Sequence, residues 1–407
     1  MHSQLALSVP LMYSDPSGPS AIVIGFWNGF GCISDDVGYG VVIALSPLHV
    51  NVVGIDLHKF EPHDASKTPT SNSTGLDFGK ACEELIRLRS QFRQKPIIFI
   101  SGEKPATMLS ENADTLSKHF IFHWTKPEKL YRVIDKSRTP DLCREANVPT
   151  PTTHITSTGE NVTATAREFM FPCIVKPNLM GQAWKIREGF PGRYFIAKSA
   201  QSLTEFYDQH PNMLGKTIWQ QLIEGEDNNI FQCTTLVSRS GNPVASVCIR
   251  KLRQSPSNYG SMCYGRTEWN NEIVLRTQSL INAAGLNGYA SAEFKYDRKT
   301  DEYYFIELNP RLPAYNALFP QTGINLAYLG YLDLYDEKLT TDHAQRNDVY
   351  WMTIQNLSAK EPLRSLKDGT NIAWKPFLDS QVKPYVARNI YQKYRQIRNM
   401  KIDASNR

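Results

Sequence analysis

Gly288–Arg311, GYASAEFKYDRKTDEYYFIELNPR, decides the fold of this chain. It reads as two strands joined by the polar turn Asp297–Asp301, which is hairpin chemistry. Side chains alternate across a strand, so Tyr289, Ser291, Glu293 and Lys295 share one face of the first run. Tyr303, Phe305, Glu307 and Asn309 share one face of the second. Symmetric closure about the turn makes Glu293 and Glu307 cross-strand neighbours on that face, with Asn309 beside them. Two carboxylates and a carboxamide oxygen at one spot form a hard-oxygen site of the kind Mg²⁺ takes, with nucleotide phosphates filling the remaining positions. A solvated hairpin face with scattered acids is the competing reading of these residues taken alone.

Working outward, the chain offers further groups suited to a polyphosphate. Phe171–Pro177 (FPCIVKP) reads as a buried strand with Lys176 at its end. A Gly-containing polar loop with Lys185 follows it, and such a loop can fold over phosphates. Lys136 stands in a helix–loop stretch, KPEKLYRVIDKSRTPDLCREANVPTP, of one or two short helices ending at Asn147. Thr217–Ile223 is a strand that runs directly into Glu224-Gly225-Glu226-Asp227. Ile230–Ser238 and Pro243–Leu252 are further strands, and the basic run Arg250–Pro256 carries Arg250, Lys251 and Arg253. Alternation puts Lys251 and Arg253 on one face and Arg250 on the other. Glu272–Ala284 reads as a helix ending near Gly285. Lysines neutralise phosphate oxygens, an acid beyond an apolar strand can accept from ribose hydroxyls, and an arginine can grip a carboxylate or acyl phosphate bidentately.

The N-terminal part has a different pattern. Ala21–Gly25, Val50–Asp56 and Pro96–Ser101 read as buried strands, with helix-like stretches near Asp35–Leu45 and Gly79–Gln94. This alternation predicts a doubly wound, Rossmann-like unit. The turn after the first strand, Gly25 to Gly31, lacks the third glycine of a dinucleotide fingerprint: Gly29-x-Gly31 is followed by Ser34, and Asp56 lies too far on. The reading therefore disfavours NAD(P), although such a turn can still face a ligand cleft.

The 407 residues suffice for two or three domains, and 41% hydrophobic residues supply real cores. A net charge of +5 gives no nucleic-acid signal, because basic residues cluster only at Lys393, Arg395, Arg398 and Lys401. The seven cysteines are scattered without a CxxC pair, which argues against both a disulfide framework and a zinc site and suits a cytoplasmic location. No HExxH spacing, signal peptide or membrane-spanning run is read.

The order and spacing of these parts, from Lys136 to Pro313 with the signature FIELNPR at Phe305–Arg311, resemble the ATP-grasp superfamily of carboxylate–amine ligases. Within it, three features are similar to the branch containing D-aspartate ligase and the predicted ATP-dependent carboligases. They are the NGFG turn after the first strand, the Trp184-Lys185 loop and the run Arg253-Gln254-Ser255-Pro256. The resemblance implies an α/β chain whose Rossmann-like pre-ATP-grasp domain (21–125, after a leader 1–20) is followed by an ATP-grasp fold of two α+β subdomains. These would span 126–215 (lid) and 216–335 (metal hairpin), with a C-terminal extension at 336–407.

Carried onto this sequence, the resemblance implies that Lys136 and Lys176 contact ATP phosphates. Gln221, Leu222 and Ile223 would line the adenine hinge, although the family often has Glu where Gln221 stands. Glu226 or Asp227 would hold the ribose. Glu293, Glu307 and Asn309 would bind Mg²⁺ or Mn²⁺. Arg253, Arg311 and Lys185 would serve the γ-phosphate and acyl phosphate. The implied activity is an ATP-dependent ligase joining an acid to an amine through an acyl phosphate. A phosphotransferase acting on a hydroxyl or enol is the alternative on the same fold. Small-molecule carboxylates and amines are the expected partners, and dimers are common among such relatives. Asn28, Phe30, Tyr315 and Asn316 are candidates for the acceptor pocket.

Overall fold

The computed structural model describes residues 20–25, 45, 51–56, 78–100, 102–178, 190, 194–255, 259–337, 339 and 343–352. The glycine turn after the first strand, Trp27, Asn28, Phe30, Trp184, Lys185, Pro256 and the C-terminal basic run lie outside the described residues, as does all of the expected helix at 35–45 except Leu45.

Three sheets organise the described chain. Strands β1 (Ser20–Gly25), β2 (Asn51–Asp56) and β3 (Ile97–Ile100) form a parallel sheet in the order β2-β1-β3. The helix Phe78–Leu88 buries Ala81, Cys82, Leu85 and Leu88 in one core with Ile22 and Ile98. These apolar positions recur at helical spacing, so one stripe faces the sheet.

The second sheet is antiparallel, ordered β4-β7-β5-β6, from β4 (Thr153–Ile155), β5 (Cys173–Pro177), β6 (Phe195–Ala197) and β7 (Thr217–Gln221). Thr217–Gln221 therefore belongs to this sheet, and the division between sheets falls after Gln221 rather than at the expected 215/216. The cause is the pairing of β7 with both β4 and β5, which the sequence of β7 does not reveal.

The third sheet has six antiparallel strands in the order β12-β11-β8-β9-β10-β13. It is built from β8 (Ile230–Val237), β9 (Pro243–Ser255), β10 (Ser261–Thr267), β11 (Gly288–Asp297), β12 (Glu302–Asn309) and β13 (Tyr350–Met352). β13 lies in the stretch expected to be a C-terminal extension, yet it pairs with β10. One face of this sheet packs Cys233, Cys248, Ala290, Ala292 and Phe294 against the helix Asn271–Ala284. That helix starts where the Asn270 side chain accepts from Ile273 N at 3.1 Å, and it stops at Gly285 with φ 65°. The other face is divided along its length. Leu236, Val247 and Tyr289 are apolar and join a core with Leu312, Phe319 and Leu326. Gln232, Lys251, Glu293 and Lys295, further along the same faces, are polar and line a cavity.

Candidate active site

The floor of the cavity is a ladder of side chains set by strand register. Gln232 on β8 lies opposite Glu293 on β11, which lies opposite Glu307 on β12. One pleat further on are Thr234, Ser291 and Asn309. One pleat back are Ile230 and Lys295. Successive same-face positions are ~7 Å apart along a strand, so the three rungs span about 14 Å. The cavity holds about 360 Å³. Lys136, Lys176, Lys251, Lys295, Glu293, Glu307 and Arg311 all line it.

Glu293 Oε2 accepts from Lys251 Nζ at 2.8 Å and from Gln232 Nε2 at 2.6 Å. Both members of the ion pair are buried, at 4% and 11% side-chain exposure, so neither charge is tolerable without the other. The Gln232 Oε1 atom is buried and has no hydrogen-bond partner among the described residues. Glu307 Oε1 accepts from Asn309 Nδ2 at 3.1 Å, and its Oε2 lies 3.9 Å from Lys136 Nζ. Burial pushes the Glu307 carboxyl up. Lys136, the Asn309 amide, Lys251 and Lys176 together outweigh that and bring it down to about 2. Glu307 is thus an anion at neutral pH.

Lys136 enters from a short turn, Lys136–Arg138, whose start is held by Asp135 accepting from Ser137 N and Ser137 Oγ. Its backbone N donates to Asn178 O at 2.8 Å, which ties the turn to the end of β5. Lys176 is the penultimate residue of β5, and its Nζ donates to Gln220 Oε1 at 2.8 Å. Burial and the neighbouring Lys136 charge lower its pKa to about 7, against the opposing pull of Glu307 and Glu293.

The expected adenine hinge, Gln221 to Ile223, adds two apolar side chains to one wall. Gln221, Leu222 and Ile223 line the cavity with Ile174, Ile230 and Ile306, a slot suited to a planar base. Gln221 N donates to Thr152 O and Leu222 N to Pro172 O, which fixes the hinge to the smaller antiparallel sheet. Beyond it, Lys295 Nζ donates to Gly225 O at 2.6 Å and to Glu226 O at 3.2 Å. Of the two ribose candidates, Asp227 is engaged, since its carboxylate accepts from Gln254 N and Gln254 Nε2, both at 2.8 Å. Glu226 is exposed.

The basic strand departs from simple alternation. The β9–β10 register passes from Gln254↔Met262 through Arg253↔Tyr264 to Lys251↔Gly265, stepping over Cys263 on one strand and Leu252 on the other. This irregularity turns Lys251 and Gln254 both into the cavity and leaves Arg253 exposed and off its wall. Arg311 does line the cavity, and its Nη1 donates to Leu312 O. Tyr315 also lines it, whereas Asn316 is buried with its Nδ2 on Pro313 O, a structural contact.

Glu103 was not singled out by the sequence. It opens the helix Glu103–Glu111 just beyond β3, and its carboxyl senses the site: burial and then Glu307 raise its pKa, while Lys136 and Arg311 lower it. No motif surrounds it. The signal was positional, an acid at the carboxyl end of a parallel strand.

Among the described residues no group of three or more His, Cys, Asp or Glu could hold a metal unaided. The donor set nonetheless fits a divalent cation that shares its coordination with phosphates. It comprises two carboxylates on adjacent strands, an amide beside them and the unpartnered Gln232 oxygen, which can accept from a metal-bound water. Asn309 at present turns its NH₂ toward Glu307, so ligation by its oxygen requires a half-turn of the amide.

Residues 266–331 match the family model described as carbamoyl-phosphate synthase L chain, ATP binding domain. The D-aspartate ligase of Enterococcus faecium is 24% identical over 261 residues, covering 60% of this chain and 61% of the relative, a little under two thirds of its length. By fold, the chain is similar to the ADP complex of purK, N5-carboxyaminoimidazole ribonucleotide synthetase. That structure has a TM-score of 0.60 at 13% identity, covering 86% of this chain and 85% of the other. The L-amino acid ligase of Bacillus licheniformis has a TM-score of 0.56 at 14% identity over 82% and 79%. These likenesses show an ATP-grasp type of fold for the chain. Among its relatives stands D-aspartate ligase, the enzyme of the branch that the sequence resembles.

Proposed function

We propose that this protein is an ATP-dependent ligase that joins a small carboxylic acid or amino acid to an amine, with an acyl phosphate as intermediate. The observation that carries the reading is the rung Gln232–Glu293–Glu307 facing Lys136, Lys176 and Arg311 across one cavity. An apolar slot, an anionic rung and a group of cations in sequence match the base, metal and phosphates of a nucleotide.

In this reading the base lies in the hinge slot and Glu226 accepts from the ribose. Lys136 and Lys176 neutralise phosphate oxygens. Glu293, Glu307 and Asn309 would hold Mg²⁺, which when bound takes up charge on the transferring phosphoryl group. Arg311 orients the acid, whose carboxylate oxygen attacks the γ-phosphorus as the bond to ADP breaks. The amine then attacks the acyl carbon, an amide bond forms, phosphate leaves with the acyl C–O electron pair, and the proton shed by the amine nitrogen goes to the departing phosphate. Lys251, rather than Arg253, is the cation of β9 that faces this chemistry. No side-chain nucleophile is required, since positioning and charge neutralisation supply the rate.

The test is ADP and phosphate release from MgATP with pooled acids and amines, followed by mass spectrometry. A product mass equal to acid plus amine minus water supports the ligase. A mass gain of one phosphate on a hydroxyl compound, with no amine requirement, replaces it with a phosphotransferase.

A further inference from the structure

The charged groups of the cavity are unevenly placed. Lysines and glutamates occupy the first two rungs of the floor, whereas among the described residues the third rung and the wall above it are uncharged apart from Asn309's neighbour Arg311. Thr234 Oγ1 donates to Ser291 Oγ at 3.1 Å and lies 3.4 Å from Tyr315 Oη. All three residues are buried. Burial drives the Tyr315 phenol well above its ordinary pKa, so it stays neutral. The Tyr315 ring meets the Trp351 indole edge-on, with centroids 6.1 Å apart. Ser291, Ala314, Tyr315 and Trp351 all line the cavity. Trp351 is only partly buried although it is large and aromatic, which leaves ring surface for a ligand.

Resting on the ligase reading, we infer that the acid substrate carries an uncharged, apolar or aromatic body that seats against Tyr315 and Trp351. Arg311, the cation at this end, serves the reacting carboxylate. A second carboxylate on the substrate would sit over Ser291 and Tyr315, with no counter-charge but Arg311 among the described residues at this end, which is unfavourable. A neutral ring instead gains edge-to-face contact with two aromatic side chains. The acid preference of this protein would then differ from what the name of its relative D-aspartate ligase states for that enzyme.

Hydroxylamine traps an acyl phosphate as a hydroxamate whatever the natural amine, so the acid can be tested alone. The full chain with MgATP and hydroxylamine is assayed against 3-phenylpropionate and phenylalanine, and against succinate and aspartate. The expected result is a kcat/KM ratio of about 100 in favour of the neutral bodies. Trp351→Ala should narrow that ratio about tenfold, while Trp351→Phe, which keeps a ring, preserves it. Equal or better use of the dicarboxylates, or a Trp351→Ala variant that depresses all acids alike, overturns the inference and leaves the ligase reading standing. Neither hydroxamate nor ADP from any acid overturns both.

Discussion

Lys176 should make nucleotide binding depend on pH in a way no solvent-exposed lysine would. Burial and Lys136 hold its pKa at about 7 in the ligand-free protein. Polyphosphate bound beside it stabilises the charged form, so binding takes up a proton wherever the free site is neutral. The charged fraction falls from about one half at pH 7 to ~1% at pH 9. MgATP affinity should therefore weaken by up to ~50-fold, or ~2 kcal/mol, over that window. Calorimetry in buffers of different ionisation enthalpy should register uptake of about half a proton at pH 7 and close to one at pH 9. The sign also applies to folding. Between pH 7 and the ordinary lysine value the unfolded chain holds the proton that the folded chain has released. Stability of the free protein should thus rise with pH across that window and fall as pH drops toward 7. Lys176→Met should bind MgATP more weakly at pH 7 and show neither slope. A dissociation constant that is flat from pH 7 to 9, or an equal slope in Lys176→Met, would refute the argument.

Other consequences are more local. Glu307→Gln removes one charge and keeps the shape, so turnover should drop by at least ~100-fold with the fold retained at a lower Tm, because Lys136, Lys251 and Lys176 lose the carboxylate they face; near-normal turnover would exclude Glu307 as a metal ligand. Lys295→Met frees the two carbonyls at Gly225 and Glu226, so the KM for ATP should rise about tenfold with a smaller change in kcat, read by steady-state kinetics. Gly330→Ala should destabilise by ~1–3 kcal/mol despite the better helix propensity of alanine. Its methyl would overlap the Tyr289 hydroxyl and lie 2.7 Å from the ring carbon that bears it. Thermal denaturation checks this, and an unchanged Tm would show that Tyr289 can move aside.

What the sequence determined by itself was everything with a short period. Alternation over Gly288–Asp297 put Glu293 and Lys295 on one face, and the Glu293–Glu307 pair was expected. The pairing itself, however, depends on a register shift between Glu293 and Phe294 that steps over Ile306 and sends Phe305, expected on the face of Glu307, into the opposite core beside Phe294. Lys176 at the end of an apolar strand, and the helix from Asn271 to Gly285, were legible for the same reason: their signals lie within a few residues. The tertiary structure decided the rest. Whether Lys251 or Arg253 faces the cavity depends on where β9 and β10 slip past each other, and β10, interrupted by Gly265, carries only a weak strand pattern. The engagement of Asp227 by Gln254, a partner on another strand, is likewise invisible in the sequence. β7 joined the smaller antiparallel sheet through pairing with β4 and β5. Glu103, on the helix after β3, came within electrostatic reach of Glu307, Lys136 and Arg311. Each of these is a contact between segments distant in sequence, selected by which faces could be buried together, and no local period records that choice.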